Sequence, residues 1–565
     1  MNRRKSLLLC ALMVLALSAL LVFPATLLLE SKDKAQEEKQ RMIMQMIEER
    51  KEMEALPAAA AVLPMMDIED IWALEDEREE AQDELVSAMF NNGAALGYDR
   101  ADQTFYCALD IGLEEWPQIE LSARGAQGVN VAWVDDYTYD WCADAVSEGY
   151  RYELFAWDET QYAYIGVVFT GLPVVTLRVQ EEIGETYVAG HWTVASSGYD
   201  AIDEAALVHL RGGGMEEWDD KKSYRLEMHG LSEQGTEEKR WLSVLGMEAD
   251  SDWILAANAS DATCVRNHLA WDFWKKWNPD GQAFNLLDSK MVEVFVNDEY
   301  VGLYQLMQRV DVPEEIERMG GNLNTDIGMR IIAQGNIETR PAANYRDTSG
   351  YFIELRYRPE HMSVKRAFEE FDIYHRMNRV TEKELSIEDD EEFAQLVKRH
   401  IDTTKLMEYF LFQQVASFGY DNVFNNVYMW ALKKDGEYKF YISPWDMDRV
   451  FEPVYTDGSD LPNMWYALAV RMLDLNVDNC REILWNLLEE RKQTLLSDDA
   501  IYQWFMETED MINASGAYRR NALKWTGEEK ALNLAEQSAY TISHRNTVEF
   551  YMNEMWPLEG NRADH

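Results

Sequence analysis

The chain has 565 residues, 47% of them hydrophobic and 12% aromatic, which is enough apolar side chain for several packed domains and too much for extended disorder. Acidic residues outnumber basic ones, 102 to 53, for a formal charge of −49. That charge repels phosphate backbones and anionic lipid surfaces, and so excludes nucleic acid as a partner.

At the N-terminus, Arg3, Arg4 and Lys5 precede an uncharged run over residues 7–29, which as a helix would span about 35 Å and match a bilayer core. A cleaved signal peptide is the competing reading. Its apolar region should be shorter and should end at a small-residue site, which LVFPATLLLE does not clearly offer. The expectation is an uncleaved single-pass anchor in the cell membrane over 6–29, a cytoplasmic tip over 1–5, and the bulk of the chain extracytoplasmic.

Residues 30–93 read as a helical stalk. Its first part is rich in helix formers, with Met42, Met46, Ile47 and Met53 in a rough stripe, and at about three heptads it suits a solvated spacer better than a coiled coil. PAAAAVLP at 57–64 interrupts it, and a second, acidic helix is expected from 67 to about 90, stopped by Asn91-Asn92-Gly93. Residues 94–170 change to short runs (TFYCAL, QIELSA, VNVAWV, YRYELFAW, YAYIGVVFT) divided by Gly and Asp, the pattern of a small all-β domain. Its aromatics would serve as half-buried sheet core with cross-strand pairs, or with more assumption as a carbohydrate-binding face. Cys107, Cys142, Cys264 and Cys480 contain no C-x-x-C pair, which argues against zinc and thioredoxin-like chemistry; a Cys107–Cys142 disulfide and buried free thiols are both open.

Residues 171–556 read as a larger α+β region, followed by a tail over 557–565. LPVVTLRV, YVAGHWTV and ALVHLRG are predicted strands. RGGGMEEWDDKKSYRLEM supplies a Gly-rich turn and then a strand carrying Lys221 and Lys222. A helix over 261–277 and a hairpin turning at Asn297-Asp298 follow, and helices run from about 403 onward around a second hairpin.

Nucleophile-elbow, H-E-x-x-H, P-loop and G-x-G-x-x-G signatures are all absent. The chemistry concentrates instead at the second hairpin, strands 427–432 and 438–443 about Lys433-Lys434-Asp435-Gly436. Its open end brings the loop of Asp421, Asn422, Asn425 and Asn426 beside Asp446 and Asp448. Carboxylates two residues apart on extended backbone project to one side and repel unless a cation sits between them. Oxygen ligands of this kind suit Mg²⁺, Mn²⁺ or Ca²⁺. Asp421 and Asn426 also reproduce the D-x-x-x-x-N spacing of a protein-kinase catalytic loop, although Asp and Asn equally serve turns and helix caps.

In chain order, LPVVTL, RGGG with KKSYRLEM, DWILAANASDATCVRNHLAWDF, VEVFVNDEYVGLYQLMQRVD, SGYFIEL, DNVFNNVYMW and PWDMDRVF resemble the successive motifs of the CotH kinase family, named for spore coat protein H, over roughly 172–555. The resemblance implies an atypical protein-kinase-like fold that binds ATP with Mg²⁺ or Mn²⁺ and phosphorylates Ser or Thr of exported or surface proteins. It implies Asp446 as the metal-binding Asp with Asp448 assisting, Asn426 as a second metal ligand and Asp421 as the base. Gly212, Gly213, Lys221 or Lys222, Arg266 and Gln308 are the implied nucleotide contacts. The family commonly shows R-G-N-S where Arg211-Gly212-Gly213-Gly214 stands, and Glu where Gln308 stands. Moreover, no Glu lies between Asp261 and Gly281 to make a Lys–Glu pair. A catalytically weak or inactive kinase-like scaffold for surface assembly or adhesion is therefore the alternative, and a Ca²⁺-stabilised structural site a third reading.

Overall fold

The computed structural model describes residues 41–44, 63–125, 128–211, 220–231, 237–332, 345–348, 351–378, 387–416, 426–452 and 467–558. No helix among the described residues is long and apolar enough to cross a membrane, and the expected anchor lies outside them. The fold is mixed α and β, as expected.

The acidic helix expected from 67 to about 90 is shorter than that. It spans only Ile68–Asp76, and Val86–Asn91 is a strand paired with Leu121–Gly125. Leu85, Val86 and Met89 are buried in the β-domain core, so long-range pairing overrides a weak local helix preference. The Asn-Asn-Gly segment stops no helix; Asn92 (φ 49°) and Gly93 (φ 84°) turn a hairpin. Four of the predicted runs form the strands Thr104–Ala108, Asn130–Trp133, Arg151–Trp157 and Gln161–Thr170, and an unpredicted strand, Gly97–Asp99, pairs with the first of them. Trp133, Tyr152, Phe155 and Phe169 are buried, and Trp116 meets Tyr137 and Phe169 with ring centroids 5.0 Å apart. These aromatics are thus largely sheet core. Cys107, Cys142, Cys264 and Cys480 are all free and buried. Ile43 is buried against Ala205 and Leu207 on the next unit.

That unit is a closed barrel. Strands Ile202–Arg211, Val188–Ala195, Val174–Val179, Ser289–Val296, Glu299–Gln308, Asp252–Ala256 and Ser223–Leu231 pair in that order, and the last returns to the first through Arg211↔Ser223. Val174–Val179 and Ser289–Val296 pair in parallel; the other neighbours are antiparallel. Alternate residues point inward, among them Val175, Leu177, Trp192, Leu226, Trp253, Val292, Tyr304 and Leu306, so the barrel is filled by side chains. Asn297 and Asp298 form the predicted hairpin turn with φ of 50° and 62°.

The helix Arg266–Trp277 lies against the barrel. It buries Leu269, Trp271, Phe273, Trp274 and Trp277 in the larger core and keeps Asp272 and Lys276 at the surface side. That core also holds a five-stranded sheet, ordered Tyr345–Thr348, Tyr351–Tyr357, Ile327–Ile332, Val427–Lys434 and Glu437–Pro444. Helices from Thr403–Ala416 to Ala535–Met555 close it. Phe412 packs on Trp274 at 4.7 Å, and Trp504 on Phe273 at 5.0 Å.

Candidate active site

The hairpin Val427–Lys434 and Glu437–Pro444 pairs in full register from Lys434↔Glu437 to Val427↔Pro444, with Asp435 and Gly436 at φ 53° and 90° in the turn. Its open end carries the carboxylates. There the Trp445 amide donates to the Asn426 carbonyl at 3.0 Å. Asp446 (φ 56°) and Asn426 (φ 52°) both take left-handed backbone, which short polar side chains tolerate best after glycine. The Met447 amide donates to Asn267 Oδ1 at 2.9 Å, and Ser260 Oγ donates to Asp448. Burial first, then the neighbouring Asp446, pushes the Asp448 carboxyl up to about 7. Two acids thus share one partly buried turn, an arrangement that a divalent cation stabilises.

Two arginines complete the site. Arg211, the last residue of its barrel strand, has its guanidinium 5.3 Å from the Trp445 ring centroid. Arg330, from Ile327–Ile332, lies 5.7 Å from Trp445 and 5.8 Å from Tyr428, and donates to Asn426 Oδ1 at 3.2 Å. Burial lowers the Arg211 pKa and Asp446 opposes that shift, while Arg330 adds to it. Two guanidinium groups therefore flank one indole, which directly precedes Asp446 in the chain.

Asn426, Asp446 and Asp448 come together here. Asp421, Gly212 and Gly213 lie outside the described residues. Lys221 is buried, and its ammonium donates to the Leu303 carbonyl at 2.6 Å, 3.9 Å from Cys264 Sγ and 4.7 Å from the Tyr304 ring centroid. Burial depresses its pKa. The Lys222 carbonyl accepts from Tyr304 Oη at 2.8 Å. Arg266 opens its helix paired with Asp261 at 2.9 Å and with Glu452, four residues beyond Asp448. Gln308 uses its side chain on backbone, donating to Glu248 O at 3.1 Å and accepting from Asp288 N at 3.2 Å. Among the described residues no group of three or more His, Cys, Asp or Glu is placed to hold a metal, so the Asp446–Asp448 pair needs amide or further oxygen donors beside it. A cavity of about 530 Å³ opens where Arg266–Trp277, the barrel and Asp498–Ala514 meet, and it is lined by His268, Lys275 and Glu507 among others. None of the predicted site residues lines it.

The family described as CotH kinase protein matches residues 208–554. The chain belongs to the CotH kinase family. No curated protein matches it. The CotH match begins inside the barrel strand that ends at Arg211 and runs into the last helix, so it spans the Asp446 turn and both arginines. The sequence reading missed Arg330, Asn267 and Ser260. Arg330 left a faint signal, a lone cation between buried Met329 and Ile331, which strand alternation places on the other face. Asn267 left one too, as a polar residue four and seven positions before Trp271 and Trp274, on the helix face that their rings place in the core.

Proposed function

We propose that the protein is a membrane-anchored, extracytoplasmic kinase that transfers the γ-phosphoryl group of ATP to Ser or Thr of an exported or surface protein. The family supports a kinase-like protein that uses ATP and a divalent metal. The observation that carries the reading is the Asp446–Asp448 turn, which the Asn267 and Ser260 side chains and the Asn426 carbonyl hold in place, with the Asp448 carboxyl raised by burial and by Asp446. Asp446 and Asp448, with Asn426, would hold Mg²⁺ or Mn²⁺, which when bound neutralises charge on the phosphate oxygens. Arg211 and Arg330 add fixed cations for the same oxygens, in a transfer that depends on positioned charge more than on covalent chemistry. Asp421, five residues before Asn426, takes the role of the base that orients the acceptor hydroxyl and receives its proton.

The test is transfer of labelled phosphate from ATP by the purified full-length chain with Mn²⁺ or Mg²⁺ and a mixture of Ser- and Thr-containing peptides. Asp446→Ala is expected to lose at least about 10²-fold in rate, as when one electrostatic stabiliser of a transition state is removed. Wild-type transfer no faster than that of Asp446→Ala refutes the catalytic reading. A second reading, an inactive scaffold for surface assembly, is favoured by the engagement of Lys221 and Gln308 inside the protein. Thermal shifts separate the readings, because a ligand that binds the folded state raises its apparent stability. A shift needing ATP and metal together supports the nucleotide site, no shift with ATP supports the scaffold, and a shift with Ca²⁺ alone supports a structural calcium site.

A further inference from the structure

In protein kinases a Lys–Glu ion pair ties the helix behind the nucleotide to the phosphate contacts. The helix Arg266–Trp277 has no Glu to make one. Three buried side-chain amides occupy the space between this helix, the barrel and the Asp446 turn. Asn267, 3% exposed, accepts from the Met447 amide through Oδ1 at 2.9 Å and donates from Nδ2 to Gln305 Oε1 at 2.8 Å. Gln305, on the barrel strand Glu299–Gln308, is fully buried. Its Oε1 also accepts from Asn258 Nδ2 at 3.3 Å, and its Nε2 donates to Ser289 Oγ at 2.9 Å.

This network has a direction. Turning Asn267 over would point an N–H donor at the Met447 N–H and a carbonyl oxygen at Gln305 Oε1, two repulsive contacts in a site closed to water. Met447 lies between the two carboxylates, and Asp446 holds a left-handed φ of 56°, a conformation that persists where the surroundings over-determine it. The turn is pinned at three of its four residues, on both sides of Asp446: Trp445 by Asn426, Met447 by Asn267 and Asp448 by Ser260.

We propose that Asn267, oriented by Gln305, is the positioning residue that sets the Asp446–Asp448 turn for a divalent cation. An uncharged amide relay thereby couples barrel, helix and turn where an ion pair would otherwise do so. This rests on the reading of the two carboxylates as metal ligands. Loss of a residue that orients metal ligands costs about 10- to 100-fold in affinity.

The experiment is a titration of the full-length chain with Mn²⁺ alone, followed by electron paramagnetic resonance. It is run at a temperature where each variant's circular dichroism equals that of the wild type, so that a merely structural role leaves affinity unchanged. Asn267→Leu is expected to raise the Mn²⁺ Kd by about 10- to 100-fold. Gln305→Met should shift it in the same direction by less, because Asn267 Oδ1 can still accept from the Met447 amide while its Nδ2 loses the Gln305 acceptor that orients it. Gln305→Met carries the test if the leucine variant does not fold. Wild-type affinity in either folded variant, with binding lost in Asp446→Ala, overturns the positioning role. If Asp446→Ala also binds Mn²⁺ as the wild type does, the metal-ligand reading falls and the positioning role falls with it.

Discussion

Asp448 is the residue at which the site's electrostatics become measurable. Burial and Asp446 raise its carboxyl to about 7 from an ordinary value of 3.8, so the folded chain holds that proton more tightly than the unfolded chain does. This group therefore favours the folded state at low pH, and that contribution is lost as pH rises from about 4 through about 7. A divalent cation reverses the cost above that range, because it replaces the proton as countercharge. Metal and proton therefore compete for one site. Mn²⁺ affinity should rise about tenfold per pH unit below pH ~7 and level off above it, as expected for one displaced proton, and Asp448→Asn should flatten the dependence. A wild-type affinity independent of pH over the same range would refute the shared-proton account. Lys221 meets the same penalty with the other sign of charge, and burial lowers its pKa. With a carbonyl, a thiol and a ring around its ammonium, it reads as a prop for the barrel more than as a phosphate contact.

What Lys221 props is an irregular strand pair. Pairing between Ser289–Val296 and Glu299–Gln308 slips at Val294/Phe295, and Gly302 sits at the slip with φ 113°. The helix Ala517–Thr526 docks on it: Asn521 Oδ1 accepts from the Leu303 amide at 3.1 Å, and Trp525 Nε1 donates to Val301 O at 3.1 Å. A Cβ on residue 302 would overlap Asn521 Oδ1 and meet Trp525 Nε1 at 3.0 Å. Gly302→Ala should therefore destabilise the fold by about 1–3 kcal/mol through backbone strain and crowding, seen as a lower denaturant midpoint. An unchanged midpoint would mean that the helix does not dock there. Both hairpins were legible in the sequence because a short polar turn between alternating strands is a local signal, and so were Asn426, Asp446 and Asp448 at the open end of one of them. The slip, the barrel's closure and the rest of the site were not. Arg330 reaches Asn426 across 96 residues of chain, Asn267 reaches Met447 across 180, and Ser260 reaches Asp448 across 188, and no local pattern encodes such separations. The overlong acidic helix failed for the same reason, since the partner of Val86–Asn91 begins at Leu121.

Across the whole molecule, one buried ion pair ties together units that are far apart in sequence. Glu293, on a barrel strand, is fully buried and pairs with Arg520 of the helix Ala517–Thr526 at 2.7 Å. The same guanidinium donates to Thr170 Oγ1, at the end of a β-domain strand, at 2.8 Å and to Ser515 O at 3.0 Å. Tyr300 Oη donates to Glu293 at 2.7 Å. Glu293 holds the arginine's pKa above its ordinary value despite burial, so the guanidinium stays charged. A buried pair of this kind is strongly destabilising to break and close to neutral to replace, because half a pair leaves an uncompensated charge in a low-dielectric site. Arg520→Met should therefore lower unfolding stability by about 3–5 kcal/mol, and adding Glu293→Leu should recover most of that loss. Urea unfolding followed by tryptophan fluorescence measures both. If the double variant is as unstable as Arg520→Met alone, the loss comes from packing around the arginine stem, and the pair is not what joins the β-domain to the barrel and the closing helices.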